Sequence, residues 1–236
     1  MKATITSLIF LLLSLTVSSQ TYKYIGIEEG LSNQKIYKIQ KDARGYMWFL
    51  THVGIDQYNG KEIKHYKLRE GNRELDPLLN INWTFLDKTG TLLVTGKQGR
   101  IFRYDSGHDR FVQIYNMYNY WNKDYHAFVR YSYIDQEDNV WLCGKSAIHL
   151  FNIESGQKQQ ISNRLGNITC IEQINSEHFF IGTDKRIYLA KLENGNLKEL
   201  SCGKLGMMDM HVHELYLHST ANKLFIGTFE KGVYIY

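Results

Sequence analysis

The chain has 236 residues, 43% of them hydrophobic, with 28 basic and 24 acidic side chains and a formal net charge of +4. That length suits one sizeable all-β domain. Charges of both signs are interspersed, which argues against a nucleic-acid-binding stripe.

In chain order, residues 1–19 read as a secretory signal peptide. Lys2 supplies the charged start, Ile5–Val17 the apolar core, and Ser18 and Ser19 a small-residue cleavage site. The apolar run is shorter than the about 20 residues a membrane span needs. No cysteine follows it to carry a lipid, and an uncleaved anchor is the alternative. Residues 21–27 then predict a lone strand.

A phrase follows that repeats along the chain. In its first copy Asp42 and Gly45 open a turn, Trp48 centres an apolar run, Thr51 ends it, and a new strand starts at Gly54-Ile55. The mid-phrase residue recurs as Leu93, Trp141, Phe180 and Phe225. A period of roughly 40–50 residues with β-type sequence marks a propeller-like array. Asp at the first turn position bonds nearby backbone N–H groups, and Gly tolerates the left-handed backbone that follows. The runs Met47–Leu50, Leu92–Val94, Val140–Leu142, Phe179–Ile181 and Leu224–Ile226 are too short for helices and read as buried strands. Flanking strands complete four per repeat, which makes one propeller blade.

The expected blades are residues 30–66, 80–115, 127–161, 167–200 and 211–236. The innermost strand is expected to carry the apolar run and the outermost to be the most polar. Trp48 and Trp141 read as core. An ordinary β-sandwich is the alternative, but five ordered copies argue against it.

Cys143, Cys170 and Cys202 are odd in number and widely spaced, so they read as free thiols rather than a disulfide framework. His211 and His213 alternate on one strand beside Met207, Met208 and Met210. A soft-metal site there is conceivable, but exposed or core-edge histidines are the simpler reading. No metal site or cofactor is expected.

Gly30, Leu31, Ser32 and Asn33, followed by Ile36, Ile39, Asp42, Gly45, Trp48, Thr51, Gly54, Ile55 and Tyr58, resemble the two-component regulator propeller repeat. The resemblance is strongest in this copy and extends in weaker form from about Tyr22 to Tyr236. It implies the periplasmic sensor region of a hybrid two-component regulator, normally built on seven-bladed propellers and followed by a membrane helix and a histidine kinase. With about five repeats, an N-terminal fragment of an incomplete seven-bladed propeller is favoured over a closed five-bladed ring. In a closed ring, residues 21–27 would complete the last blade.

The long connections Lys67–Asn80, Asn116–His126, Ser162–Asn167 and Cys202–His211 fall on one face, where binding residues concentrate. The segment around Tyr118, Tyr120, Trp121, Tyr125 and His126 mixes rings with amides and charges, as sugar recognition requires, although the rings could instead pack the loop. Trp83, Arg73 and Arg130 join the candidate ligand-binding set, and arginines would suit acidic sugars. The expected function is ligand sensing, recognising or relaying an oligosaccharide without catalysis, from the periplasm. A homodimer through the propeller or downstream domains is expected, with membrane contact only through a downstream segment. The alternatives are a protein-interaction scaffold and a carbohydrate-active enzyme. The enzyme would need two placed carboxylates, and Glu70, Glu74, Asp76, Asp124 and Glu137 show no motif.

Overall fold

The computed structural model describes residues 22–120 and 128–236, apart from the side chains of residues 206 and 207. The signal-peptide reading of residues 1–19 therefore lies outside the described residues.

The strands form five antiparallel blades in chain order. Blade one is β1 (Ile36–Lys41), β2 (Met47–Thr51), β3 (Ile55–Tyr58) and β4 (Ile63–Tyr66). A small hairpin, β5 (Arg69–Glu70) with β6 (Arg73–Glu74), and the one-turn helix α1 (Pro77–Asn80) lead onward. Asp76 caps this helix by accepting from the Leu78 N–H, and Pro77 suits its first turn. Blade two is β7 (Trp83–Leu86), β8 (Leu92–Thr95), β9 (Arg100–Asp105) and β10 (Arg110–Asn116). Blade three is β11 (Tyr131–Ile134), β12 (Asn139–Cys143), β13 (Ala147–Asn152) and β14 (Lys158–Ser162). Blade four is β15 (Ile168–Gln173), β16 (His178–Thr183), β17 (Ile187–Glu193) and β18 (Asn196–Leu200). Blade five has three strands, β19 (Val212–His218), β20 (Lys223–Thr228) and β21 (Val233–Ile235).

Period-two alternation decides how the blades stack. On β8, Leu92 and Val94 pack towards blade one, with Trp48, Leu50 and Ile55. Leu93, between them, packs towards blade three, with Val140 and Leu142. On β12 the sides swap again: Trp141 and Cys143 meet Phe179 and Ile181 of blade four. Phe180 then joins the cluster of Val212, Leu224 and Ile226 in blade five. The mid-phrase residue of each of the first four blades thus inserts into the next blade. Phe225 holds the same place in blade five, where it is half-buried beside exposed Tyr216.

The apolar run sits on the second strand of each blade, not the innermost as expected. The innermost strands are β1, β7, β11, β15 and β19, whose residues line one central cavity. A second strand is covered by neighbouring blades on both faces, so it needs apolar side chains throughout. An inner strand borders the open axis and can stay polar: β1 is mostly exposed, whereas β2 is buried.

The Asp-led turns form as the sequence predicts. Asp42 Oδ1 accepts from the N–H groups of Arg44 and Tyr46, Asp87 Oδ1 from Thr89 and Thr91, and Asp135 Oδ1 from Glu137 and Asn139. Gly45, Gly90 and Asp138 take the left-handed backbone. The residue after each of these aspartates also reaches the next blade. The Ala43 N–H donates to Gly90 O at 3.2 Å, Lys88 N–H to Asp138 Oδ1 at 3.0 Å, and Gln136 N–H to Gln173 Oε1 at 2.7 Å.

Residues 22–27 form no closing strand, contrary to expectation. The chain turns there, with Gly30 N–H donating to Ile27 O and Leu31 N–H to Gly26 O. Lys23 instead donates to the Tyr58 hydroxyl at 2.6 Å, beside blade one. Gly30, at φ 107, supports a bend that an extended strand would forbid. Among the described residues β21 pairs with β20 alone, and strand pairing does not join the two ends of the array. Cys143 and Cys170 are buried free thiols and Cys202 is a half-buried one. Burial pushes the Cys170 thiol up to about 12. No helix among the described residues is long and apolar enough to cross a membrane.

Candidate functional site

The inner strands all begin on the same face, so their first residues surround one mouth. The cavity there has a volume of about 450 Å³ and is lined by residues of all five blades. Blade one supplies Tyr37 and Lys38, blade two Asn82 and Trp83, and blade three Arg130 and Tyr131. Blades four and five add Thr169, His211, His213 and Glu214. This is the face of the long connections.

Several of these groups are held in place. Arg130 Nη1 donates to Asn167 Oδ1 at 2.8 Å, and Asn167 Nδ2 donates to Asp184 Oδ2 at 2.6 Å. The relay anchors the Arg130 guanidinium at the mouth, and among the described residues no carboxylate pairs with it. Tyr37 Oη and His52 Nδ1 share a hydrogen bond at 2.7 Å. The His211 ring stacks on Phe229 with centroids 5.4 Å apart. Thr169 donates its hydroxyl to Val212 O at 2.6 Å, which ties blade four to blade five. Trp83 packs one side onto the core between blades two and three. Burial, with Cys170 and Glu214 nearby, raises the Tyr131 phenol, so it stays a neutral hydrogen-bonding group at physiological pH. Chemically the mouth offers aromatic rings, neutral hydrogen-bonding groups and the cations Lys38 and Arg130, with one carboxylate, Glu214.

Of the sequence-derived candidates, Trp83 and Arg130 meet at this mouth. Tyr118 and Tyr120 lie elsewhere, on the flank of blades two and three. Tyr118 follows the Asn116 cap and packs onto Tyr115, Met117 and Val129. Tyr120 stacks on Tyr115 at 5.6 Å and 3°, Tyr115 stacks on Phe151 at 4.6 Å, and Lys158 Nζ sits 4.3 Å from the Tyr120 centroid. These rings do pack their segment against the propeller, while Tyr120 remains half exposed. Trp121, Tyr125 and His126 lie outside the described residues. Arg73 is on β6 and pairs with Glu70 at 3.0 Å, away from the mouth.

The sequence reading left Tyr37, Lys38, Tyr131 and Thr169 out of the site. Their signal was their common place at the start of each inner strand, visible only once that strand is known to face the axis. Among the described residues no three His, Cys, Asp or Glu side chains come together to hold a metal ion; His211 and His213 line the mouth instead.

Residues 30–52 match the family described as two component regulator propeller. Its fold is similar to the extracellular domain of a putative hybrid two component system, BT3049, from B. thetaiotaomicron, at 18% identity and a TM-score of 0.67 over 91% of this chain and 30% of that one. The corresponding domain of BT4673 from the same organism is similar at 15% identity and a TM-score of 0.63, over 85% of this chain and 27% of that one. YCF48 bound to D1 peptide is similar at 11% identity and a TM-score of 0.63, over 92% of this chain and 68% of that one. The chain thus spans less than a third of the two hybrid-system domains it resembles. No relative among curated proteins matches the sequence.

Proposed function

We propose that this propeller is a ligand-sensing module of a hybrid two-component regulator, acting on the periplasmic side, and that its mouth recognises an oligosaccharide or relays its binding. The observation that carries the reading is the mouth itself. Trp83, Tyr37 and Tyr131 from three blades surround one cavity together with Arg130 and Lys38. Aromatic faces stack on the apolar faces of sugar rings, and fixed polar groups then select hydroxyl or acidic substituents. The repeat at residues 30–52 and the likeness to extracellular domains of hybrid two-component systems support the sensory context. Glu214 is the one acidic residue lining this cavity, and paired-carboxylate glycoside hydrolysis needs two, which supports binding rather than turnover. Titration calorimetry of the chain against neutral and acidic oligosaccharides tests the proposal. Saturable binding that Trp83→Ala weakens by about tenfold or more is expected; no binding across the panel, or binding indifferent to Trp83 and Arg130, removes the reading.

A further inference from the structure

A second cavity, of about 660 Å³, lies at the rim between blades one and two, and no residue lines both it and the mouth. Its walls come from β4, the hairpin strand β5 and the start of β10. Four permanent cations line it, Lys64, Lys67, Arg69 and Arg110, against two carboxylates, Asp109 and Glu70.

Both carboxylates are already engaged. Asp109 Oδ1 accepts from the Tyr66 and Tyr104 hydroxyls at 2.5 and 2.6 Å, and its other oxygen pairs with Lys64. Glu70 pairs with Arg73 at 3.0 Å and with Arg100 at 3.4 Å. Lys67 pairs with Glu74 at 2.8 Å. Arg69 and Arg110 have neither an ion pair nor a side-chain hydrogen bond among the described residues. Between these cations the floor is apolar where Phe111 and Tyr66 meet edge to face at 5.7 Å, and Val112 also lines the groove.

We propose that this rim groove binds a small polyanion, one with at least two carboxylate or sulfate groups on a compact carbon frame. A guanidinium presents a planar fork of donors that matches an oxyanion bidentately. Two such forks free of internal partners beside an apolar floor suit a ligand that is charged at its ends and apolar between. The volume falls within the roughly 300–1,000 Å³ typical of small-molecule sites.

Calorimetry of the full chain at low ionic strength tests this, with three probes: citrate, a disulfated disaccharide and the same disaccharide without sulfate. Binding of citrate or the disulfated sugar is expected, and which one binds separates carboxylate from sulfate carriers. Arg69→Gln and Arg110→Gln should each weaken that binding by roughly tenfold, as the loss of a charge-assisted contact does. Trp83→Ala at the mouth should leave citrate binding unchanged. Both arginines are exposed and unpaired, so the variants keep the fold, which an unchanged melting temperature confirms. Failure of both polyanions to bind, equal binding of the unsulfated sugar, or undiminished binding by the double variant overturns the proposal.

Discussion

Trp48 donates its indole N–H to Asp42 Oδ2 at 2.9 Å, and Trp141 makes the same bond to Asp135 Oδ2 at 2.9 Å. Each bond joins the residue that opens a turn to the residue that fills the next inter-blade core. Burial alone would raise the Asp42 carboxyl, but hydrogen bonds from Trp48, the Tyr46 N–H and Arg44 outweigh it and hold the group below its ordinary range. In blade two, where Leu93 stands in place of tryptophan, Arg103 pairs with Asp87 Oδ2 at 2.7 Å. The repeat therefore conserves a partner for the turn carboxylate while changing the chemical group that supplies it.

Trp48→Phe should lower stability by about 2–4 kcal/mol, because it removes a hydrogen bond to a charged acceptor and leaves a cavity in the core. Trp141→Phe should cost a similar amount. Urea unfolding of each variant measures the loss. A change near zero would mean that the indole bonds contribute nothing beyond packing.

Acid should destabilise the protein in two stages. Burial lowers His149 from its ordinary 6.5 to about 4. Its neutral form is favoured in the folded state, so stability is full above the unfolded value and falls as pH drops from about 6.5 to 4. The loss at this site should approach about 3 kcal/mol. Asp109, held at about 2 by hydrogen bonds from Lys64, Tyr104 and Tyr66, contributes stability above its ordinary value of 3.8 that is lost as pH falls from there towards 2. Denaturant midpoints measured from pH 7 to 2 check both stages. His149→Leu should flatten the first and leave the second.

Gly45 and Gly90 hold equivalent turn positions but should respond differently to alanine. Both have positive φ, yet a Cβ on Gly45 meets nothing within 4 Å, whereas on Gly90 it would lie 2.4 Å from the Ala43 Cβ. Gly45→Ala should cost about 1–2 kcal/mol from backbone strain alone. Gly90→Ala should cost about 1–3 kcal/mol more, because it drives two turns apart. Ala43→Gly in the Gly90→Ala background should restore part of that extra loss. Thermal unfolding of the four proteins measures the coupling.

At the mouth, binding and stability should separate. Trp83→Ala and Arg130→Ala should each weaken oligosaccharide binding by about tenfold or more, since a buried stacking face or a charged donor is worth about 1–3 kcal/mol. Arg130→Ala should change the folding free energy by less than about 1 kcal/mol, because its partner Asn167 keeps its bond to Asp184. Calorimetry and urea unfolding on the same samples compare the two.

The sequence by itself determined the blade. Asp42 with Gly45, Asp87 with Gly90, and Asp135 with Asp138 encode their turns locally, since a side-chain oxygen two residues from an N–H needs no distant partner. The runs around Trp48, Leu93, Trp141, Phe180 and Phe225 encode strands and their order. Tertiary structure decided which strand faces the axis, because alternation alone does not say whether an apolar run is covered by neighbouring blades or borders a channel. It brought Trp83 and Arg130 together with Tyr37 and Tyr131, which are far apart in the chain and share only a position within their blades. It also turned Tyr118 and Tyr120 onto the flank, where stacking on Tyr115 and Phe151 removes apolar ring surface from water. Local hydrogen bonding is written residue by residue, whereas a site shared by five blades exists only after they have packed.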